Sequence, residues 1–506
     1  MGVLEPGDVT KPWTLVASVV AVSVAYFVGS IVYRLYFHPL HHIPGPWINA
    51  VSRVPYIRHL LAGTTVVNVS ELHAKYGEVV RISPNEISFT SGDTAWQDIY
   101  GFRTGKHKGH LSMLKDPAWY AQPPGSAHII CSSNEDHSRF RKVLSHSFSD
   151  KALANQETLL QGYVDLLINQ LKDVTSKDKS PQDLTQWYNW TTFDVMADLL
   201  FGEPFGSLQE LATSKYIHML FDSFTAFKYW YIMYYWPWTK RLRNWILDQR
   251  VIQNRLTYYK FVASQTQKRA QRETQRPDLM TTILQHNGEK GAVISATEMN
   301  NNNSVMLTAG SETTATLLSG VTYLLLKNPE VLAKLMKDVR GRWKKYDDIT
   351  LESVNNTPYL IAVLQEGLRY FPPVPAGFER RVGKGGEVVS GYFIPENTAL
   401  SVSSYPTGHS ERNFKDPEAF VPERWMGDPR YADDKKSSIN PFSFGPRNCL
   451  GKNLAYAEMR LILAKMIWSF DLELDPKSDD WMKRCKVNTL WEKPELAVRV
   501  KEVVRE

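Results

Sequence analysis

The sequence predicts a mainly α-helical body with a small β subdomain, preceded by one transmembrane helix. Three observations carry that prediction. Residues Trp13 to Tyr33 run for 21 positions without a charge. Most of residues 134–345 has helical character, including one long segment with a start signal and a stop signal. Strand-like alternation is confined to two short stretches, 78–90 and 387–402.

The uncharged run, W-TLVASVVAVSVAYFVGSIV-Y, matches the roughly 20 residues a helix needs to cross a bilayer. Trp13 and Tyr33 stand at its ends, where interfacial aromatics belong. Arg34, Arg53 and Arg58 follow it, against Glu5, Asp8 and Lys11 before it, which predicts that the large C-terminal part faces the cytosol. A cleaved signal peptide is the competing reading, but the run lacks a basic leading region and an evident cleavage site. Next comes His38-Pro-Leu-His-His-Ile-Pro-Gly-Pro-Trp47, whose three prolines forbid helix continuation and predict a semi-rigid spacer. The expected organisation is a luminal segment 1–12, an anchor 13–33, a hinge 34–47 and one catalytic domain 48–506.

Within the body, Glu78-Val-Val-Arg-Ile-Ser-Pro and Glu86-Ile-Ser-Phe-Thr predict two strands joined at Pro84-Asn85. Ser295-Ala-Thr-Glu298 reads as a capping box, and Asn328-Pro329 closes the segment, giving a helix of about 32 residues or about 48 Å. Its middle reads Thr308-Ala309-Gly310-Ser311-Glu312-Thr313-Thr314. A glycine inside a helix costs about 1 kcal/mol against alanine, so it has a packing or functional reason. The aromatic stretch Phe227 to Trp238, followed by Lys240, Arg241 and Arg243, fits either a membrane interface or a buried helix, and periodicity does not decide between them.

Composition sets limits on function. The 506 residues are 43% hydrophobic, enough for a large core, and the net charge of +6 is spread along the chain. No basic block points to nucleic acid. Cys131, Cys449 and Cys485 are odd in number and widely separated, which argues against a disulfide framework and fits a reducing compartment. No CxxC or HExxH spacing suggests zinc.

The most informative segment is Phe442-Ser-Phe-Gly445-Pro-Arg447-Asn-Cys449-Leu-Gly451. It sets a lone cysteine beside two glycines and an arginine, a way to present a thiolate to a flat metal cofactor. Glycine lets the backbone approach closely, nearby N–H groups can tune the sulfur, and Arg447 offers a cation to an anionic group. The pattern F-x-x-G-x-R-x-C-x-G resembles the haem-thiolate signature of the cytochromes P-450. Ala309 to Thr314 is similar to the family's A-G-x-[D/E]-T-T segment. Glu366-Gly-Leu-Arg369 and Pro422-Glu-Arg424-Trp425 resemble its E-x-x-R and P-E-R-F elements, with Trp425 replacing phenylalanine. His137-Ser-Arg-Phe-Arg141 is similar to its W-x-x-x-R helix, with His137 in place of tryptophan.

This resemblance covers nearly the whole chain. It is closest to fungal microsomal enzymes of secondary metabolism, of the isotrichodermin hydroxylase type. It implies a P-450 fold and haem b with Cys449 as axial ligand. A thiolate pushes electron density onto iron and favours O–O cleavage. It further implies that Thr313 and Glu312 manage protons during oxygen activation and that Ala309 and Gly310 line the haem pocket. Phe442, Gly445 and Gly451 would shape the cysteine loop against the cofactor. Arg447, Arg380, Arg141 and His137 would contact the haem, with Arg381 on the opposite strand face. Glu366, Arg369 and Arg424 would form a buried network. The implied activity is insertion of one oxygen atom from O2 into a small apolar terpenoid, polyketide or alkaloid. The chain has no room for a fused flavin reductase, so electrons would come from NADPH through a separate NADPH-cytochrome P-450 reductase. The implied location is the endoplasmic reticulum membrane, single-pass, in contact with lipid. The rival is a haem-thiolate isomerase, dehydratase or oxidative coupling enzyme, and the intact Glu312-Thr313 pair argues against the forms that do not use O2.

Overall fold

The computed structural model describes residues 10–505 apart from 110, 111, 243, 244, 246 and 275. Residues 1–9 of the expected luminal segment, and Arg243 of the basic cluster, therefore lie outside the described residues. The first helix, Thr10–Val32, passes directly into a π-helical turn, Tyr33–Phe37. The helical span Trp13–Phe37 is 25 residues long and contains an 18-residue window of mean hydropathy 2.3, none of which is buried in the protein. The expected hinge at 34–47 is corrected in two ways. Helical structure runs four residues beyond Tyr33, because the first proline comes only at Pro39. The proline-rich stretch is also docked rather than free. Leu40 and Ile43 are buried among Val79, Ile87 and Phe89. The Pro44 carbonyl accepts from the Arg81 amide at 2.7 Å. The Arg81 guanidinium donates to the carbonyls of Arg34, Leu40 and Pro84, and Arg34 donates to the Val51 carbonyl.

The predicted hairpin forms as Val79–Ser83 and Glu86–Phe89. It opens a five-stranded sheet that continues with Ala399–Val402, Arg380–Arg381 and Leu114–Lys115. Glu86–Phe89 pairs parallel with Ala399–Val402, and the other ladders are antiparallel. This order sets Lys115 directly opposite Arg380. The side chains of Val80, Ile87, Phe89, Leu400 and Val402 are fully buried.

The long helix is Ala296–Lys327, 32 residues, with both hydrogen bonds of the Ser295–Glu298 capping box present. It packs along the helix Leu184–Phe201, in which 16 residues are buried, Asp194 and Asp198 among them, so this helix is enclosed on every side. Gly310 lies where the two helices approach. A Cβ there would stand 2.6 Å from the Met196 sulfur, which explains the mid-helix glycine by packing alone. The helices Pro358–Tyr370 and Lys452–Ser469 pack against the same long helix. The helices Lys215–Tyr235 and Gln249–Ala270 run against each other. A C-terminal hairpin, Lys486–Asn488 with Leu490–Glu492, completes the enclosure.

Candidate active site

A cavity of about 500 Å³ lies at the centre of these elements. Its wall is mainly apolar and includes Ala309, Gly310, Thr313 and Thr314 of the long helix, together with Phe442, Cys449 and Gly451 of the cysteine loop. The helix Lys215–Tyr235 contributes Leu220, Phe227 and Trp230, and Gln249–Ala270 contributes Arg255, Tyr258 and Tyr259. The aromatic stretch thus divides between both expected environments. Tyr231 is wholly buried, whereas Trp238 is 63% exposed.

The cysteine loop is held by local bonds. The Cys449 amide donates to the Phe442 carbonyl at 2.7 Å, closing the loop over the short turn Gly445–Arg447. Gly445 has φ +73°, and a Cβ there would meet the Tyr100 carbonyl oxygen at 2.0 Å. Only glycine fits, because a protein neighbour fills the space a Cβ would take; Gly445 itself is not on the cavity wall. Gly451 is on the wall, and a Cβ there would come no closer than 3.7 Å to its nearest neighbour, the Phe148 ring, an ordinary contact. The Cys449 sulfur is open to the cavity although it sits deep in the protein. Burial pushes its thiol up, and the Gly451 N–H, Arg141 and Lys452 act in the opposite direction. Cys485 differs in that burial pushes its thiol up to about 12.

Cations crowd this cavity. Lys115, Arg141, Arg380 and Arg447 all line it. Arg380 is 3% exposed, and its guanidinium carbon lies 5.1 Å from the Tyr100 ring centroid. Arg447 donates through Nη2 to the Ser132 and Ser133 carbonyls, both at 2.9 Å, and to Asn134 Oδ1. The Nη1 atoms of both arginines are buried without a hydrogen-bond partner among the described residues. Burial, then repulsion from Arg380, lowers Arg447 to about 10. Burial, then Arg380 and Arg447, holds the Lys115 ammonium well below its usual range. Buried unpaired charge is strongly unfavourable, so this cluster fits a bound group with anionic substituents. His137 is also on the wall, but burial, then Arg447 and Arg141, push it down to about 3, so it is neutral at pH 7. Arg141 reaches the cavity and donates to both Asn448 oxygens, carbonyl and side chain, each at 2.6 Å. It braces the residue next to Cys449.

The two residues expected to manage protons part company. Thr313 lines the cavity and donates its hydroxyl to the Ala309 carbonyl at 2.6 Å. Glu312 does not reach the wall. Its position on the helix, one residue earlier, turns it about 100° away. There it forms a buried pair with Lys493, just beyond the C-terminal hairpin, and accepts from Thr316 at 3.2 Å.

The network around Glu366 is complete. Arg369 donates to both Glu366 oxygens at 2.9 and 2.8 Å, and Arg424 Nε donates at 3.1 Å. All three side chains are fully buried. Trp425 Nε1 donates to Glu366 at 2.8 Å, a bond phenylalanine could not make. Asp434 pairs with Arg424, so two carboxylates balance two guanidinium groups. Arg381 turns away from Arg380 and pairs with Asp116 at 2.7 Å.

Among the wall residues that sequence reasoning missed are four that can ionise or hydrogen-bond: Lys115, Glu379, Glu458 and Thr489. Lys115 is revealed only by its register with Arg380. Glu379 adjoins Arg380 but carries no motif. Glu458 is buried, and burial pushes its carboxyl up to about 8, partly offset by the Thr314 hydroxyl. Thr489 has φ +81°, rare for a β-branched residue, and a buried hydroxyl without a partner.

The cytochrome P450 family profile matches residues 44–500. Cytochrome P450 monooxygenase traB of Penicillium crustosum is 56% identical over 497 residues, covering 97% of this chain and 98% of that protein. Cytochrome P450 monooxygenase lcsI of Purpureocillium lilacinum is 43% identical, covering 96% and 94%. Averantin hydroxylase of Dothistroma septosporum is 40% identical, covering 93% and 88%. The chain belongs to the cytochrome P450 family. It is an oxygenase whose cofactor is a cysteine-thiolate-ligated haem, supplied with electrons by a redox partner.

Proposed function

We propose that this protein inserts one oxygen atom from O2 into a small apolar intermediate of fungal secondary metabolism, a terpenoid, polyketide or alkaloid. One observation carries the reading. Cys449 and Thr313 share a mainly apolar cavity with Arg380 and Arg447, each of which has a buried Nη1 in need of an anion. Cys449 would hold the haem iron through its thiolate. Arg380, Arg447 and Lys115 would take its carboxylates, with His137 as a neutral hydrogen-bonding neighbour and Ala309 and Gly310 leaving room beside it. Arg141 would keep the loop in place through Asn448. When bound, the haem supplies the redox chemistry that splits O2, one atom going to substrate and the other leaving as water with two electrons and two protons.

This chain's part is to orient substrate and govern protons. The Thr313 proton is engaged by Ala309, so its oxygen is left to accept a hydrogen bond inside the cavity. Glu312 would contribute only by leaving Lys493. Glu379 is 6% exposed, and its own backbone N–H and Lys115 only partly favour its charged form. Burial and then Glu86 hold its carboxyl well above the usual carboxylate range. As a neutral acid it would donate to one oxygen on an otherwise hydrocarbon substrate. Trp230 lines the cavity and is 37% exposed, and Trp238 at the end of the same aromatic stretch is 63% exposed, which favours entry past the aromatic helix from lipid. In this reading residues 1–12 are luminal, the apolar helix spans the endoplasmic reticulum membrane once, and the rest faces the cytosol, drawing electrons from NADPH-cytochrome P450 reductase.

The test is spectral and metabolic. Reduced protein with carbon monoxide should show the red-shifted Soret band of a thiolate ligand, and Cys449→Ala should lose it. A deletion strain should accumulate a less oxygenated precursor that the purified enzyme converts with O2, NADPH and reductase. Conversion without O2 would favour an isomerase or dehydratase instead.

A further inference from the structure

Away from the cavity, three potential metal ligands meet at the surface. His146 lies in the turn Ser145–Phe148, which follows the helix Asn134–Leu144. His286 ends the helix Leu279–His286, and Glu289 opens the turn Glu289–Gly291. One ligand atom from each lies within 4.8 Å of the other two. The imidazole rings stack, with centroids 4.0 Å apart and planes at 11°. His286 is oriented by its neighbour: Nδ1 lies 2.9 Å from the Thr282 carbonyl. A carbonyl accepts, so the proton sits on Nδ1 and the Nε2 lone pair is left for a metal. The two segments are already tied, since Ser147 donates to the Leu279 carbonyl at 3.1 Å.

We propose that His146, His286 and Glu289 form a binding site for Zn²⁺. Two imidazoles and a carboxylate suit zinc, with water completing the coordination. Zinc bonds of about 2.0–2.2 Å set ligand atoms about 3.4 Å apart, and each imidazole offers its lone pair in the plane of its ring, so the side chains must close by up to about 1.4 Å and the His146 ring must turn out of the stack. His146 and Glu289 are exposed and free to do so. The ion would brace the segment carrying Phe148, which lines the haem cavity and faces Gly451. His286 and Glu289 stand three residues apart, but His146 lies 140 residues upstream, so no local spacing shows the full set.

The test uses the full-length, haem-loaded protein in detergent, stripped with a chelator and equilibrated with Zn²⁺. Bound zinc is measured by equilibrium dialysis and elemental analysis, with haem iron as the internal standard. The expected result is one zinc per iron and a zinc-dependent rise in melting temperature. His286→Ala and Glu289→Gln should each weaken binding by about tenfold or more and abolish that rise. Both should keep the wild-type carbon monoxide spectrum, and Glu289, on an exposed turn, keeps the test open if His286→Ala misfolds. A His41→Ala/His42→Ala variant should bind zinc as wild type does. Wild-type affinity weaker than about 100 μM overturns the proposal. So does stoichiometric zinc retained in both site variants, or lost only from the hinge variant.

Discussion

The Thr313 hydroxyl has two engagements: its proton goes to the Ala309 carbonyl, and its oxygen lines the cavity, where the proposed reading has it accept a hydrogen bond. Thr313→Ala should therefore keep haem, substrate binding and NADPH consumption, but lower product per NADPH by about tenfold while peroxide rises. Unchanged coupling would return the hydroxyl to a purely structural role. Glu458 gives a pH prediction. Its buried carboxyl titrates near 8, so the folded protein holds a proton that the unfolded chain releases near pH ~4.3. Stability from this group is full below that lower value and declines as pH rises toward 8. Glu458→Gln should flatten that decline in melting temperature against pH, and an unaltered slope would contradict it. At this scale the sequence is informative where chemistry is local. Cys449, Arg447 and Phe442 stand in one loop and read as a unit. Lys115 and Glu458 do not, because strand register and helix facing bring them to the wall. Trp425 reads in the sequence as a tolerated replacement, whereas its indole N–H adds a bond to Glu366.

At the scale of elements, the long helix is legible at both ends because its capping box and closing proline are local signals. Its glycine is legible as a position with a reason but not as to which reason, since Met196 comes from another helix. Gly310→Ala should push Met196, itself a cavity residue, toward the haem side. The expected costs are about 1–3 kcal/mol of stability and a reduced haem content. Adding Met196→Ala should restore much of the haem content, and failure of that rescue would mean the glycine serves the cofactor directly. The aromatic helix resists reading for a different reason. Tyr231 packs inward against Arg53 and Glu86, with its hydroxyl 2.8 Å from Glu86, while Trp238 faces out. One composition serves two environments.

For the whole molecule, the helical body and minor sheets are predictable from pattern, but the sheet's order is not. Glu86–Phe89 pairs with Ala399–Val402 across most of the chain, and no local signal specifies that partner. The docked segment after the apolar helix yields a prediction of its own. Removing residues 1–37 should release the body from alkaline-washed membranes with an unchanged carbon monoxide spectrum. Removing residues 1–47 should lower the melting temperature further, because Leu40 and Ile43 leave the core and Arg81 loses its Leu40 carbonyl partner. Equal stability of the two truncations would contradict this. The docking also has a mechanical meaning. A loose tether would let the body float at any angle, but a rod clamped at its foot by Arg34 and Arg81 behaves as a lever. With the apolar helix across a bilayer as proposed, a thicker or thinner membrane would change the rod's slant and carry the body with it, raising or sinking the helix Lys215–Tyr235 relative to the lipid headgroups.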